Sequence, residues 1–404
     1  MSVIDSTNRT IKKPRLRFST FHEDWNTKIF ESFLTEINII PKDKYPLYSL
    51  TIESGVTPKS ERYERSFLVT SQDEAYKLVE ENDFVYNPMN LRFGAIGRHK
   101  EKKKVVVSKY YNIFRVANDM DPVYLEYYFK CDQMIHFYNR MAEGSLLEKK
   151  RVHYTDFIKF EKNCPTLPEQ NKISQFISTI DNWIGNLQTQ KQSLENYKES
   201  MMHLIFNQKF RFKDDDGKEY PKWESKKLGE VFDERNEKNG NKNLDLLSIK
   251  IKGGISKHND GTNKNDTSSE DKSNYKIVYV GDIAYNTMRM WQGASGVSIY
   301  LGIVNPAYTV VSLKEGDVNF YGYLFKLPRT IFDFYRYSQG MTSDTWNLKY
   351  DHFSEVKVTV PSDKREQQKI AELLISIDNL LTSIENKLSY ALQWKRGITQ
   401  KIFI

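Results

Sequence analysis

The chain has 404 residues, with 60 Lys and Arg against 53 Asp and Glu, a formal net charge of +7 at pH 7. That length suggests two or three domains, and the modest basic excess permits a polyanionic partner without requiring one. There is no uninterrupted apolar run of about 18 residues, so no membrane-spanning helix is expected. The opening MSVIDSTNRTIKKPRLRF lacks the apolar centre of a signal peptide. Cys131 and Cys164 are the only cysteines and lack CxxC spacing. This argues against a disulfide framework or a Cys-based zinc site, and fits a reducing cytoplasm. Aromatic residues make up 13% of the chain, mostly Tyr and Phe, and are read first as the filling of β-rich cores.

Taken in chain order, an N-terminal tail (1–17) leads into a first globular unit (18–166). Within it, KVVVSKYYNIFRV has the composition of short strands, and an amphipathic helix is predicted around Pro122–Tyr138. A long helix covers 167–208, with Pro165 and Pro168 at its start. A linker (209–222), containing most of KDDDGKEYPKW, joins it to a second globular unit (223–361). There GGISKHNDGTNKNDTSSEDKSNY is almost devoid of apolar residues and is expected to be a mobile loop. GIVNPAYTVVSL again reads as strand, and a second amphipathic helix is predicted around Phe320–Tyr337. After Pro361 a second long helix covers 362–404. The fold class is therefore α+β: two related α/β globular units, each followed by a long α-helix.

The chain repeats itself. At a shift of 197, Glu169-Gln170 falls on Glu366-Gln367, Lys172-Ile173 on Lys369-Ile370, Ile180-Asp181-Asn182 on Ile377-Asp378-Asn379, and Ile205-Phe206 on Ile402-Phe403. At a shift of 199, Ser49, Ile52 and Gly55 fall on Ser248, Ile251 and Gly254, Tyr76-Lys77 falls on Tyr275-Lys276, and DFVYNPMNLRFGAIG from Asp83 falls on DIAYNTMRMWQGASG from Asp282. The lead-in segments are related as well: RLRF or FRF precedes Trp25 or Trp223. Order this consistent is duplication.

Apolar residues along the two long helices recur in steps of three and four. The seam is placed at Ile173, Phe176, Ile180, Trp183 and Leu187 in the first, and at Ile370, Leu373, Ile377, Leu380 and Ile384 in the second. Such a seam needs a partner, and the other helix is the nearest one, which predicts an antiparallel coiled coil. Both seams turn polar at the same step, Gln190 and Lys387. A polar seam residue can fix register at a cost in stability. If these two do so, replacing both with Leu raises thermal stability and loosens register. A helix of about 38 residues spans about 57 Å, on the order of 17 base-pair steps of duplex DNA. That would suit a spacer between two DNA-reading units about one helical turn apart.

These helix starts, Glu-Gln-x-Lys-Ile…Ile-Asp after Pro168 and Pro361, combine with the Asp-x-x-Tyr-Asn-x-Met…Gly-Ala-x-Gly segments and with GIVNPAY from Gly302. Together they resemble the specificity subunit of type I restriction–modification systems, over essentially the whole chain beyond the tail. The resemblance implies that each globular unit is a target recognition domain reading one half of a bipartite, asymmetric site in double-stranded DNA. It implies that the paired helices separate the half-sites, that two adenine-methyltransferase subunits dock on the chain, and that motor–nuclease subunits join them. S-adenosylmethionine, ATP and Mg2+ would belong to those partners, and no catalysis, metal or cofactor is expected on this chain. The residues agree: there is no GxxxxGK[ST] loop, no HExxH or His/Cys cluster with metal-ligand spacing, and Asn87-Pro88-Met89-Asn90 lacks the second proline and the aromatic residue of an amino-methyltransferase motif.

Residues matched between the halves are expected to maintain the shared frame, Tyr86, Tyr285 and the paired glycines among them. Unmatched residues are the better candidates for distinct base readout. Asn90-Leu91-Arg92-Phe93 lies opposite Arg289-Met290-Trp291-Gln292. Arg can bridge guanine O6 and N7, Gln can bridge adenine N6 and N7, and a large apolar group can touch a thymine methyl, so Arg92, Arg289, Trp291 and Gln292 are base-reading candidates. The run Arg98, Lys100, Lys102, Lys103 and Lys104, with Lys149, Lys150 and Arg151, is a candidate phosphate face; a charge run is otherwise an ordinary solvated surface. In the second unit Lys250, Lys252 and Lys257 flank Gly253-Gly254, and Ser343, Thr345 and Trp346 occupy a polar loop after Gly340. Two other readings stand beside this one: a stand-alone sequence-specific or architectural DNA-binding protein, separated by whether it assembles with methyltransferase subunits, and a protein scaffold indifferent to DNA.

Overall fold

The structure, a computed structural model, describes residues 13–59, 75–144, 146, 150–240, 242–251, 253–258, 271–342 and 345–403. Of the polar stretch expected to be a loop, 259–270 lies outside the described residues, as do Lys149, Lys252 and Ser343. The start of that stretch, Gly254–Lys257, is a strand paired with Leu247–Lys250 rather than loop.

The chain divides into two compact units. One runs up to Thr189 and adds the chain from Glu385 onward; the other is Gln190–Ile384. Each unit therefore contains one globular reader, the first half of the helix that follows it, and the second half of the other helix.

The two readers share one topology. In the first, a four-stranded antiparallel sheet has the order Leu34–Glu36, Asn112–Val116, Phe84–Tyr86, Ile96–Arg98; in the second, it is Phe232–Glu234, Tyr308–Leu313, Ile283–Asn286, Ser295–Val297. The strands that follow Asp83 and Asp282 are central, and Phe84, Val85 and Tyr86 are all buried, as are Ile283, Ala284 and Tyr285. That explains their unbroken apolar runs. Around the first sheet Phe30, Phe84, Phe114, Phe129 and Phe157 interlock, with Phe84 stacked on Phe114 at 5.2 Å. Phe232, Tyr285, Phe325, Phe334 and Phe353 do the same in the second. Burying each of these rings is worth about 1.5–3 kcal/mol, so this part of the aromatic content is core. Each single helix predicted beside a sheet is in fact two: Pro122–Lys130 and Asp132–Met141, then Val318–Leu324 and Pro328–Tyr337. Cys131, extended and buried, breaks the first, and Pro328 at the start of the last helix enforces the break in the second.

The long helices are Leu167–Phe206 and Lys364–Ile402. Each unit pairs the start of one with the end of the other, antiparallel: Asp181 meets Lys395 in the first unit and Asp378 meets Lys198 in the second, both at 2.5 Å. The buried stripe differs from the expected seam. Ile173, Ile180, Leu187, Ile370 and Ile377 are buried as expected, and Ile384 is half-buried, but the alternate positions are Ile177 and Ile184 rather than Phe176 and Trp183, and Leu374 rather than Leu373 and Leu380. Phe176 and Trp183 flank the stripe instead and pack edge-on against Trp394. Along the observed stripe the next matched step carries Lys191 in one helix and Leu388 in the other, both half-buried, so the two helices do not share a polar step. Gln190 and Lys387 are both exposed, off the stripe, and neither is placed to pin the register. The double Leu replacement is therefore expected to shift stability by no more than about 0.5 kcal/mol, measurable by urea unfolding.

Candidate nucleic-acid interface

The signature residues of the helix starts hold each reader in place. Gln170 accepts from the Asp121 N–H at 2.9 Å and donates to the Pro165 carbonyl at 2.9 Å; Gln367 accepts from the Asp317 N–H at 3.0 Å and donates to the Pro361 carbonyl at 2.8 Å. Asp121 and Asp317 in turn cap a reader helix through Val123 N–H and Phe320 N–H. The preceding glutamates are equally buried, each gripped by a bidentate arginine: Arg17 on Glu169 (2.7 and 2.7 Å) and Arg211 on Glu366 (3.0 and 2.7 Å). Arg17 ends the tail and Arg211 lies in the linker, so these two residues are packed parts of the frame. Their neighbours are tied down through the backbone too: Leu16 N–H donates to Lys401 O, and Phe210 N–H donates to Leu204 O.

A second matched device joins reader to helix. Tyr127 donates to Asp181 at 2.8 Å and Tyr323 to Asp378 at 2.7 Å, the same carboxylates that meet Lys395 and Lys198. Each lysine also lies over the tyrosine ring, at 5.5 and 5.1 Å. Burial, and then the carboxylate, raise both tyrosine pKa values.

Two buried aspartates and two lysines order the strands and turns that carry the base-reading candidates. Asp83 accepts from Glu80 N–H and from Arg115; Asp282 accepts from Tyr279 N–H and from Arg235. Lys326 donates to the carbonyls of Gly293 and Ser295 at 2.7 Å each, and to that of Ile251 at 3.3 Å. It thereby ties the 290–292 turn to the hairpin of Leu247–Lys250 and Gly254–Lys257. Burial lowers its pKa to about 8, so it still carries its proton at neutral pH. Lys130, its counterpart, is also lowered by burial and lies beside Gly55. The hairpins cross the sheets where both sides are glycine. A Cβ on Gly97 would stand 2.9 Å from Gly55 Cα, and one on Gly296 2.9 Å from Gly254 Cα. Gly94 and Gly293 close the short turns 91–93 and 290–292 at φ of 92° and 82°, a region that favours glycine.

On this frame the candidate residues separate. Arg92 and Arg289 lie on the two matched turns, and no carboxylate among the described residues pairs with either. Arg92 sits 4.3 Å over the Phe93 ring. Gln292 is half-buried. Trp291 donates its indole N–H to Met288 O at 2.9 Å and meets Trp346 edge-on at 5.2 Å. Thr345 bonds within its own loop, to Thr342. The basic run is largely neutralised from within the reader: Arg98 and Lys100 pair with Glu126, Lys103 with Glu101, and Lys104 with Glu80. Lys102 is exposed with no such partner among the described residues. Arg151 exchanges backbone bonds with Glu143. Lys250 is exposed at the hairpin end, and Lys257 pairs with Asp245.

Residues 220–393 match the family described as "Type I restriction modification DNA specificity domain". The chain resembles the specificity subunit of a type I system. In structure it is similar to the type I restriction–modification S subunit from M. genitalium, with a TM-score of 0.58 and 13% identity over 97% of this chain and 99% of that one. A structure bearing on complex assembly and conformational transition of the type I R-M system gives 0.53 and 14%, over 94% and 97%. At these identities the likeness is one of fold. Among curated proteins none matches the sequence. No helix among the described residues is long and apolar enough to cross a membrane.

The matched Gln, Arg–Glu, Asp–Tyr–Lys, buried Lys and Gly–Gly devices recur in the half that the family match does not reach. Tyr127 and Lys130 were missed in the sequence because they match Tyr323 and Lys326 at a shift of 196, which comparison at 197 and 199 alone passes over. Arg17 and Arg211 lie in the related lead-in segments, but with no sign there of the glutamates they grip.

Proposed function

We propose that the chain is the DNA-specificity subunit of a type I modification–restriction complex, each reader recognising one half of a bipartite, asymmetric site. The observation that carries this is the match of residues 220–393 to the DNA specificity domain, together with the same devices built a second time in the first half. The duplicated residues hold two equal frames, and the frames present different side chains at one turn, Arg92-Phe93 against Trp291-Gln292. Identical scaffolds with divergent faces suit two different half-sites. The chain supplies no catalysis in this reading. Two methyltransferase subunits dock on it, motor–nuclease subunits complete the assembly, and S-adenosylmethionine, ATP and Mg2+ are bound by those partners.

The test is genome-wide mapping of modified adenines in cells carrying the chain and its partners. A bipartite motif of fixed spacing is expected; a continuous motif, or none, overturns the reading. Within it, Arg289→Ala relaxes sequence preference at one position of one half-site, a difference of about 1–3 kcal/mol between bases. Lys102→Ala weakens binding to all sequences alike and lowers the salt slope by about one unit. Equal behaviour of the two variants in a salt titration over matched and mismatched duplexes would show that the division into base readers and phosphate positioners is wrong.

A further inference from the structure

Four rings run in a chain across the second reader: Trp291 meets Trp346 at 5.2 Å, Trp346 meets Tyr335 at 4.9 Å, and Tyr335 meets Phe332 at 6.0 Å. They come from three separate segments: the turn 290–292, the loop after Gly340, and the helix Pro328–Tyr337. Phe332, Tyr335 and the neighbouring Met288 are exposed. Trp291 and Trp346 are half-buried, so the four rings leave an apolar surface open to an occupant.

Charge argues for what that occupant is. The three segments carry Arg289, Arg329, Arg336 and Lys349 against Asp333 and Asp344, and Asp333 already faces Arg336. Apolar rings carried on segments with an excess of cations suit a DNA groove, where cations can meet phosphates and rings can meet bases. The indole N–H of Trp291, the one polar group on that side chain, is committed to Met288 O, so this ring has no donor left for a base edge. Only an apolar feature of the bases remains for it, and in the major groove that feature is the thymine C5-methyl. The first reader keeps the same turn and the same left-handed glycine but puts Arg92, a five-donor group, where the second puts Trp291.

We propose that the second reader selects thymine in its half-site by contact of the Trp291–Trp346 platform with the C5-methyl group. This rests on the DNA-specificity reading and adds the chemical feature that is read. The two are tested in order. Modified-adenine mapping fixes the site; its failure removes the specificity reading itself. On duplexes of the mapped sequence, each thymine is then replaced singly by deoxyuridine, and binding of the complex purified with its methyltransferase partners is measured. At least one replacement, confined to one half-site, is expected to weaken binding about fourfold, the effect of one methyl group. Trp291→Ala is expected to abolish that discrimination, and Trp291→Phe to keep it. Thermal melting of both variants separates lost contact from lost fold, and Met288→Ala, on an exposed side chain, is expected to reduce the discrimination without altering the melt. The proposal is overturned if deoxyuridine is neutral throughout a site that the complex still binds, if Trp291→Ala folds and retains the discrimination, or if the variant's one defect is failure to assemble with the methyltransferase subunits.

Discussion

Arg211→Ala is expected to lower the stability of the second unit by about 3 kcal/mol, because it leaves the Glu366 carboxylate without a cation in a place where that side chain is 1% exposed. The effect comes from the abandoned charge more than from the lost attraction. Glu366 sits in the first turn of its helix, where the aligned peptide dipoles favour an anion, but about 0.3–1 kcal/mol of dipole energy does not replace a bidentate guanidinium. Arg17→Ala strips Glu169 in the same way, and the loss falls on the first unit instead. Urea unfolding followed by hydrogen exchange on each variant resolves the two. Amides of 210–380 should lose protection in Arg211→Ala, and amides of 20–185 in Arg17→Ala. Loss spread evenly over both units in each variant would mean that the clamps do not act locally.

These clamps show what was legible in the sequence and what was not. Glu169-Gln170 and Glu366-Gln367 stood out as repeated pairs, and the repetition was enough to place the helix starts and the two-reader architecture. Their work was hidden, because the partners are the remote backbone of Asp121 and Asp317 and arginines from segments that read as tail and linker. The coiled-coil frame was half legible for a different reason. Period alone does not distinguish a stripe through Ile177 and Ile184 from one through Phe176 and Trp183, and ring size favours the wrong one. The one-residue difference in frame also decides whether the helices share a polar step, since Leu388 stands next to Lys387. At the reading face, the basic run was visible as composition, but the carboxylates that neutralise it, Glu126 and Glu80, lie elsewhere in the sequence. The platform of Trp291, Trp346, Tyr335 and Phe332 was split across three segments and could not be assembled from spacing.

Gly296→Ala should disable the second reader with the smallest possible change of side chain. The added methyl would lie 2.9 Å from both Gly254 Cα and Ile255 N and 3.1 Å from Gly254 C, all backbone atoms with no rotamer to turn. The hairpin of Leu247–Lys250 and Gly254–Lys257 must lift from the sheet or the sheet must bend; overpacking of this kind costs about 1–3 kcal/mol and sometimes more. Lifting the hairpin also draws Ile251 away from Lys326, and Lys326 holds the carbonyls of Gly293 and Ser295 behind the Trp291 turn. The structural damage therefore reaches the face assigned to base reading, while the Asp378–Lys198 and Gln367 contacts that seat the reader are untouched. If both half-sites must be read together, modification is lost at every genomic site although the complex still copurifies intact. Gly397→Ala is the control: that glycine is helical with open space around it, and alanine there is expected to stabilise by up to about 1 kcal/mol and leave modification unchanged. Full modification by Gly296→Ala would mean that the close crossing of hairpin and sheet is not what holds the reading turn in place.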